Sequence, residues 1–161
     1  PLIETKKSVS NYLRDSKNKF FECALSSSTG KLDIVIRDPI SQSGVNLKVN
    51  ENKSFNIRSV KVETLDNLFP SGTISSTYGI KIDVEGHELE VIRGGEKLIR
   101  GSSFIIVETS LYKKKFQDSA LFKDIFLYII NLGFEIASIR VSKDGIDHCD
   151  IAFIRNNIFK K

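Results

Sequence analysis

The chain has 161 residues and a formal net charge of +4 at pH 7, with 40% hydrophobic and 27% charged residues. These values are those of a soluble globular protein, and the length suits a single domain over residues 1–161. No apolar run reaches the roughly 20 residues that a membrane helix needs. The basic residues are scattered, which disfavours a nucleic-acid partner. We therefore expect a cytoplasmic protein without a membrane span or a nucleic-acid ligand.

Short strands and turns dominate the first half of the chain. Apolar residues at helical spacing predict a surface helix over residues 5–16. A short apolar run predicts a buried strand over residues 19–25, and alternating patterns predict further strands. The predicted strands are 32–36, 45–49 and 55–62, with a turn at 26–30, a loop at 38–44 and one helical turn at 64–69.

The second half alternates strands with helices. We predict strands over residues 78–84 and 104–107, separated by a helix over 88–100, and a second helix over 119–132. Strands over 134–141 and 150–155, joined by a turn at 143–145, complete the chain. A strand-helix-strand series of this kind predicts an α/β fold with parallel strands, and the short final turn predicts one antiparallel strand.

The segment IKIDVEGHE, residues 80–88, carries the most chemical information. Lys81, Asp83 and Glu85 alternate with apolar residues and so lie on one face of the predicted strand. Asp83 and Glu85 fall near its carboxyl end, where open α/β sheets bind their ligands. Charges on a central strand are costly unless they are paired or partly solvated. This placement makes the segment a candidate functional site.

A structural alternative stays open on the residues alone. Lys81 can form an ion pair with Asp83 or Glu85 that only stabilises the strand. Glu88 can stabilise the helix start through the helix dipole, and His87 can be an ordinary turn residue.

A third carboxylate, Glu108, follows the apolar strand at residues 104–107. If this strand lies beside the strand at 78–84, Asp83, Glu85 and Glu108 face one cleft. Converging carboxylates can bind Mg²⁺ or accept a proton from a hydroxyl group.

The segment KIDVEGHELEVIRGG, followed by FIIVET, resembles the signature of FkbM-family S-adenosylmethionine-dependent methyltransferases. The family's usual form is a lysine, an apolar residue, Asp-Val-Glu-Gly, any residue and then Glu. Three other segments are also similar to the family: FECALSSSTG at residues 21–30, VETLDNL at 62–68 and DIAFIR at 150–155. The resemblance implies a Rossmann-like class I methyltransferase sheet, mostly parallel with an antiparallel C-terminal strand.

The resemblance also implies a reaction and its residues. The implied reaction transfers a methyl group from S-adenosylmethionine to a hydroxyl of a sugar or other small polyol. Asp83 and Glu85 would be the acceptor-side carboxylates, acting as base or as Mg²⁺ ligands with Glu108, and Lys81 would orient them. The cofactor's adenine would lie against the end of the family's third strand, at Glu22, Cys23 and Ala24.

The chain departs from the family in one respect. It lacks the opening strand and the glycine-rich Asp-x-Gly-x-x-x-Gly-type loop that cradles the cofactor. We therefore expect the C-terminal portion of the domain, with an exposed sheet edge that could support a homo-oligomer. Two other interpretations remain: a non-catalytic methyltransferase-like interaction module, and a nucleic-acid-binding domain supported only by charge.

Overall fold

The computed structural model describes residues 9–10, 14, 17–36, 44–45, 56–112, 119–141 and 148–156. These residues form eight strands and four helices, and the strands make two four-stranded sheets. The fold is therefore α/β, as the sequence predicts. None of the described helices has the length and apolar character needed to cross a membrane.

The first sheet contains β1 (Ala24–Leu25), β2 (Gly30–Ile36), β3 (Gly44–Val45) and β4 (Asn56–Glu63), in the order β1-β4-β2-β3. β1 runs parallel to β4, whereas β2 is antiparallel to both β4 and β3. The predicted strands at 32–36 and 55–62 are confirmed with shifted ends. The predicted strand at 19–25 is wrong for all but its last two residues, because β1 pairs only with the last two residues of β4.

Several predicted elements lie wholly or mostly outside the described residues. They are the helix at 5–16, the loop at 38–44, the turn at 143–145 and most of the strand at 45–49.

The second sheet contains β5 (Gly79–Ile82), β6 (Phe104–Ser110), β7 (Phe134–Val141) and β8 (His148–Arg155), in the order β5-β6-β8-β7. β5 and β6 are adjacent and parallel, which confirms the prediction for these two strands. β8 is antiparallel to both of its neighbours, so it alone opposes the common direction of β5, β6 and β7. The predicted antiparallel strand is therefore confirmed.

The four described helices are α1 (Leu65–Leu68), α2 (Glu88–Arg93), α3 (Glu96–Gly101) and α4 (Phe122–Asn131). The single helix predicted over 88–100 is wrong, because it breaks into α2 and α3 at Gly94 and Gly95. A Cβ atom on Gly94 would lie 2.0 Å from the carbonyl oxygen of Ser26, and one on Gly95 would lie 2.8 Å from the Leu65 side chain. The glycines are needed where the helices approach the first sheet and α1 most closely.

One face of the second sheet carries the main core. Its side chains pack under α2, α3 and α4, and burial of each large apolar side chain contributes about 1.5–3 kcal/mol. The fully buried members include Ile92, Ile99, Ile105, Ile125, Ile129, Phe134, Ile151 and Phe153. The opposite face is more open, and Phe104 is 44% exposed there. Lys81 and Glu108 alternate with core residues along β5 and β6, which places them on this open face.

Polar contacts connect the end of β1 to the helices that follow β5. The Ser26 hydroxyl lies 2.9 Å from Nε2 of His87, and the Ser27 hydroxyl donates to Glu90 at 2.6 Å. Asp66 accepts hydrogen bonds from the backbone amides of residues 97 and 98 at 3.1 and 2.9 Å. These contacts fix the first sheet against the start of α2 and α3.

The division into two sheets differs from the single, mostly parallel sheet that the family resemblance implies. Among the described strands, none pairs with the outer edge of β1 or of β5. The described strands therefore form no backbone ladder between the two sheets, although the amide of Asp66, after β4, donates to the carbonyl oxygen of Gly94 at 3.1 Å.

We predict that Gly94→Ala lowers the free energy of unfolding by about 1–3 kcal/mol, because its new methyl group meets backbone that cannot move aside easily. Gly95→Ala meets only a flexible leucine side chain and should cost less. Urea unfolding measures both changes, with exposed Lys97→Ala as a control expected within about 0.5 kcal/mol of the parent. An unchanged stability of Gly94→Ala would contradict the close approach.

Candidate active site

Three carboxylates converge at the carboxyl ends of β5 and β6. Asp83 directly follows β5, Glu85 lies two residues further on, and Glu108 belongs to β6. One carboxylate oxygen from each lies within 4.8 Å of the others. The parallel pairing of Ile82 with Val107 brings the next residues, Asp83 and Glu108, to the same level. The structure thus brings together the three acids that the sequence singled out, and we call them the acid cluster.

The acid cluster holds a proton near neutral pH. Burial raises the pKa of Glu108 from 4.5 to about 7, and the charge of Asp83 and a hydrogen bond with it act in the same direction. The charges of Asp150 and Glu88 add to the effect. Asp150 is the cross-strand partner of Glu108 on β8. Glu108 is therefore poised to exchange a proton at physiological pH.

Lys81 neutralises part of this charge. Its Nζ donates to Oδ2 of Asp83 at 2.7 Å, and the two side chains are 54% and 40% exposed. An exposed pair of this kind contributes at most about 1 kcal/mol to stability. It does, however, hold the Asp83 carboxylate in one orientation. The geometry is compatible with both the orienting role and the structural ion pair, so the role of Lys81 stays a prediction.

The turn after β5 has an unusual backbone. Glu85 has φ = 58° and Gly86 has φ = 97°, so the backbone of both residues lies in the left-handed region. This conformation costs a residue with a side chain roughly 1–2 kcal/mol. The buried carboxylate of Glu88 supports the turn by accepting a hydrogen bond from the Gly86 amide at 2.8 Å. The structural interpretation of Glu88 is thus favoured, whereas the costly backbone of Glu85 marks a functional candidate.

The residues predicted to contact the cofactor lie on the first sheet. Glu22 and Cys23 precede β1, and Ala24 begins it. β1 ends at Leu25, and the contact of these three residues with the cofactor stays a prediction. Burial, followed by the charge of Glu63, raises the pKa of the Cys23 thiol. None of the three belongs to the acid cluster.

Two polar residues beside the acid cluster were missed in the sequence. A small cavity is lined by Glu85, Glu108, Thr109 and His148, among others. His148 is paired with Ser110 in the antiparallel register of β6 and β8. The sequence held a usable signal for His148. A strand that returns antiparallel beside β6 must place its first residues next to the end of β6.

Residues 3–136 match the family model described as the methyltransferase FkbM domain. The chain belongs to the FkbM methyltransferase family. It is 37% identical over 84 residues to hexuronic acid methyltransferase AglP from Haloferax volcanii, a match that covers 52% of the chain and 33% of AglP. No solved structure matches the chain.

We predict that Glu108→Gln removes a pH dependence of stability. A carboxyl whose pKa is raised from 4.5 to about 7 on folding stabilises the fold fully below 4.5, and this contribution is lost as the pH rises to about 7. The stability of the Gln variant relative to the parent should therefore increase across that interval. Thermal unfolding of both proteins between pH 4.5 and about 7 measures this stability difference, with exposed Glu135→Gln as the control. A difference independent of pH would contradict the raised pKa.

Proposed function

We propose that this chain forms the acceptor side of an enzyme that transfers a methyl group from S-adenosylmethionine to a hydroxyl group of a sugar or small polyol. The acid cluster at the end of the family's motif strand is the observation that carries the proposal. The hexuronic acid named for AglP supports a carbohydrate acceptor. The chain spans about a third of that relative, so the activity of the whole protein belongs to the proposal.

We also propose that both sheets belong to one Rossmann-like class I methyltransferase sheet. The order β5-β6-β8-β7 with a single antiparallel strand supports this assignment. One or more further strands between β1 and β5 would pair with the outer edges of both. Such a strand would carry the glycine-rich loop that these 161 residues lack.

The described residues suit one part of the methyl donor. The small, half-buried side chains of Cys23 and Ala24 leave a surface on which an adenine ring can lie. When bound, S-adenosylmethionine supplies a methyl group on a positively charged sulfur. The family's glycine-rich loop, which would hold its methionine part, does not occur in this sequence.

A hydroxyl oxygen is a weak nucleophile, so the acceptor needs a base. In the proposed step, a carboxylate of the acid cluster takes the hydroxyl proton while the oxygen attacks the methyl carbon. The methyl group would come from the sulfonium of bound S-adenosylmethionine, which would leave as the neutral thioether. Asp83 and Glu85 are the proposed acceptor-side groups, with Lys81 fixing the orientation of Asp83. Glu108 shares the proton through its hydrogen bond with Asp83.

Mg²⁺ is the alternative for the same three residues. Carboxylate oxygens are the donors that Mg²⁺ prefers, and the spacing of the acid cluster suits a shared ion. Asp83, Glu85 and Glu108 would hold it, and it would supply Lewis-acid activation of the acceptor oxygen. Loss of activity in a chelator, restored by Mg²⁺, would distinguish this role from that of a metal-free base.

The electrostatics favour a hydroxyl acceptor over a carboxylate. A sugar acid offers both groups, but a carboxylate is already ionised and needs no base. The acid cluster, with Asp150 and Glu88 nearby, would also repel a second anion. An ether product survives mild alkali whereas a methyl ester is cleaved, so alkali treatment of the labelled product tests this point.

We predict that Asp83→Asn or Glu85→Gln, in the natural polypeptide that contains these residues, lowers turnover about 10²- to 10⁴-fold, the usual contribution of base assistance. Stability should change little, because Asp83 is exposed and Glu85 lies in a turn. Transfer of labelled methyl at saturating S-adenosylmethionine measures the effect, and Glu135→Gln should retain normal turnover. Near-normal turnover in both variants would favour the structural ion pair instead.

We predict that the 161 residues alone give no saturable binding of S-adenosylmethionine. The glycine-rich loop would supply backbone amides whose loss costs roughly 1–3 kcal/mol for each polar group left unpaired. Isothermal titration of the isolated chain measures this directly, and micromolar affinity would show that the cofactor site is elsewhere. Binding by the natural polypeptide would argue against a module that has lost its cofactor site.

A further inference from the structure

The outer edge of β7 is the longest strand edge that stays unpaired among the described strands. The two sheets end in β1, β3, β5 and β7, and β3 spans only two residues. A strand inserted between β1 and β5 would cover those two edges. β7 has eight residues, and all of those after Phe134 are exposed. Its edge therefore offers backbone amides and carbonyls with which another strand can pair.

Apolar side chains line one face of this edge. Ile136, Ile139 and Val141 are 38%, 49% and 43% exposed. Ile136 and Ile139 pair with Phe153 and Ile151 of β8, which are fully buried in the core. The exposed side chains thus lie on the core face of the sheet, beyond the part that the helices cover. Several such side chains on one strand form an apolar patch that a partner can bury.

A β-bulge decides which residues of β7 share a face. The pairing of β7 with β8 skips Ala137. In a regular strand, residues three positions apart lie on opposite faces. Ile136 and Ile139 nevertheless share the core face, and Glu135 and Arg140 share the opposite face, since the β8 partners of each pair are an even number of residues apart.

This arrangement makes β7 complementary to a second copy of itself. In an antiparallel pair with Ile136 opposite the partner's Ile139, Glu135 lies opposite the partner's Arg140, and two-fold symmetry repeats both contacts. All paired side chains then lie on the same face, and opposite charges meet. A shift of the register by one residue would place paired side chains on opposite faces. A bulge ordinarily discourages edge pairing, but the symmetry places the two bulges opposite each other.

We propose that two copies of this protein associate through antiparallel pairing of their β7 strands, which joins the two sheets that contain them. The apolar side chains on the core face become partly covered, and two Glu135–Arg140 ion pairs on the other face fix the register. An interface built on one edge strand is small, so the dimer dissociates on dilution. The inference does not depend on methyl transfer.

Charge reversal in the natural polypeptide tests the pairing. Glu135→Arg and Arg140→Glu each place like charges opposite each other twice in the dimer, whereas the double variant restores both ion pairs with their signs exchanged. Sedimentation velocity over a concentration series measures the dissociation constant. Each single variant should raise it roughly 10- to 100-fold, and the double variant should return it to within about 3-fold of the parent.

Ile139→Thr tests the apolar face separately. Threonine keeps the β-branched shape that suits a strand, and Ile139 is half-exposed, so the monomer should fold normally while the dimer weakens. Lys31→Glu is the matched control, because it reverses an exposed charge on β2, in the other sheet, and should not change the dissociation constant. Thermal unfolding at dilutions that dissociate the dimer verifies folding, and under those conditions Glu135→Gln remains a suitable control for stability and turnover.

Three results would overturn the proposal. One is a parent polypeptide that stays monomeric at every concentration. Another is a dimer whose dissociation constant is the same in the parent and in both single charge variants, because its interface then lies elsewhere. The third is a folded double variant that dissociates as readily as the single variants, which would exclude the register that pairs Glu135 with the partner's Arg140.

Discussion

The parallel register of β5 and β6 determines the whole candidate site. Ile82 pairs with Val107, so Asp83 and Glu108 stand side by side at the carboxyl end of the sheet. Because side chains alternate along a strand, a slip of one residue would turn Glu108 into the packed core and bring Val107 out. The core prevents that slip, since Ile105 and Val107 are fully buried under the helices. Packing on one face of the sheet thus fixes the chemistry on the other.

Near neutral pH and above, the acid cluster acts against stability in two ways. Partial burial next to other carboxylates raises the pKa of Glu108, and the turn holds Glu85 in a left-handed backbone. Neither feature helps the chain to fold. Both are explained if the converging carboxylates serve a reaction, because a carboxyl that exchanges its proton near pH 7 is suited to acid–base work. The half-exposed Lys81 relieves only part of this repulsion.

The sequence was informative where one local pattern determines the structure. Alternation and apolar runs were enough to predict β5, β6 and α4, and the IKIDVEGHE segment identified Asp83 and Glu85. The sequence was not informative where a contact between distant residues determines the structure. The break at Gly94 depends on the carbonyl of Ser26, which helical periodicity cannot detect. Likewise, His148 becomes a neighbour of the acids only through the antiparallel return of β8.

The contacts between the two sheets explain how the two proposed halves of the site keep their spacing. No backbone ladder joins β1 to β5 in the described residues. The hydrogen bonds from Ser26 to His87 and from Ser27 to Glu90 span this division instead. His87 and Glu90 lie directly after the motif turn, while the serines follow the predicted adenine-contacting residues. Burial lowers the pKa of His87, which favours the neutral ring, and Nε2 then accepts a hydrogen bond from the Ser26 hydroxyl or donates one to it according to the tautomer. A methyl transfer in line requires donor and acceptor to be held at a fixed distance, and this pair of side-chain contacts links the segments that would hold them.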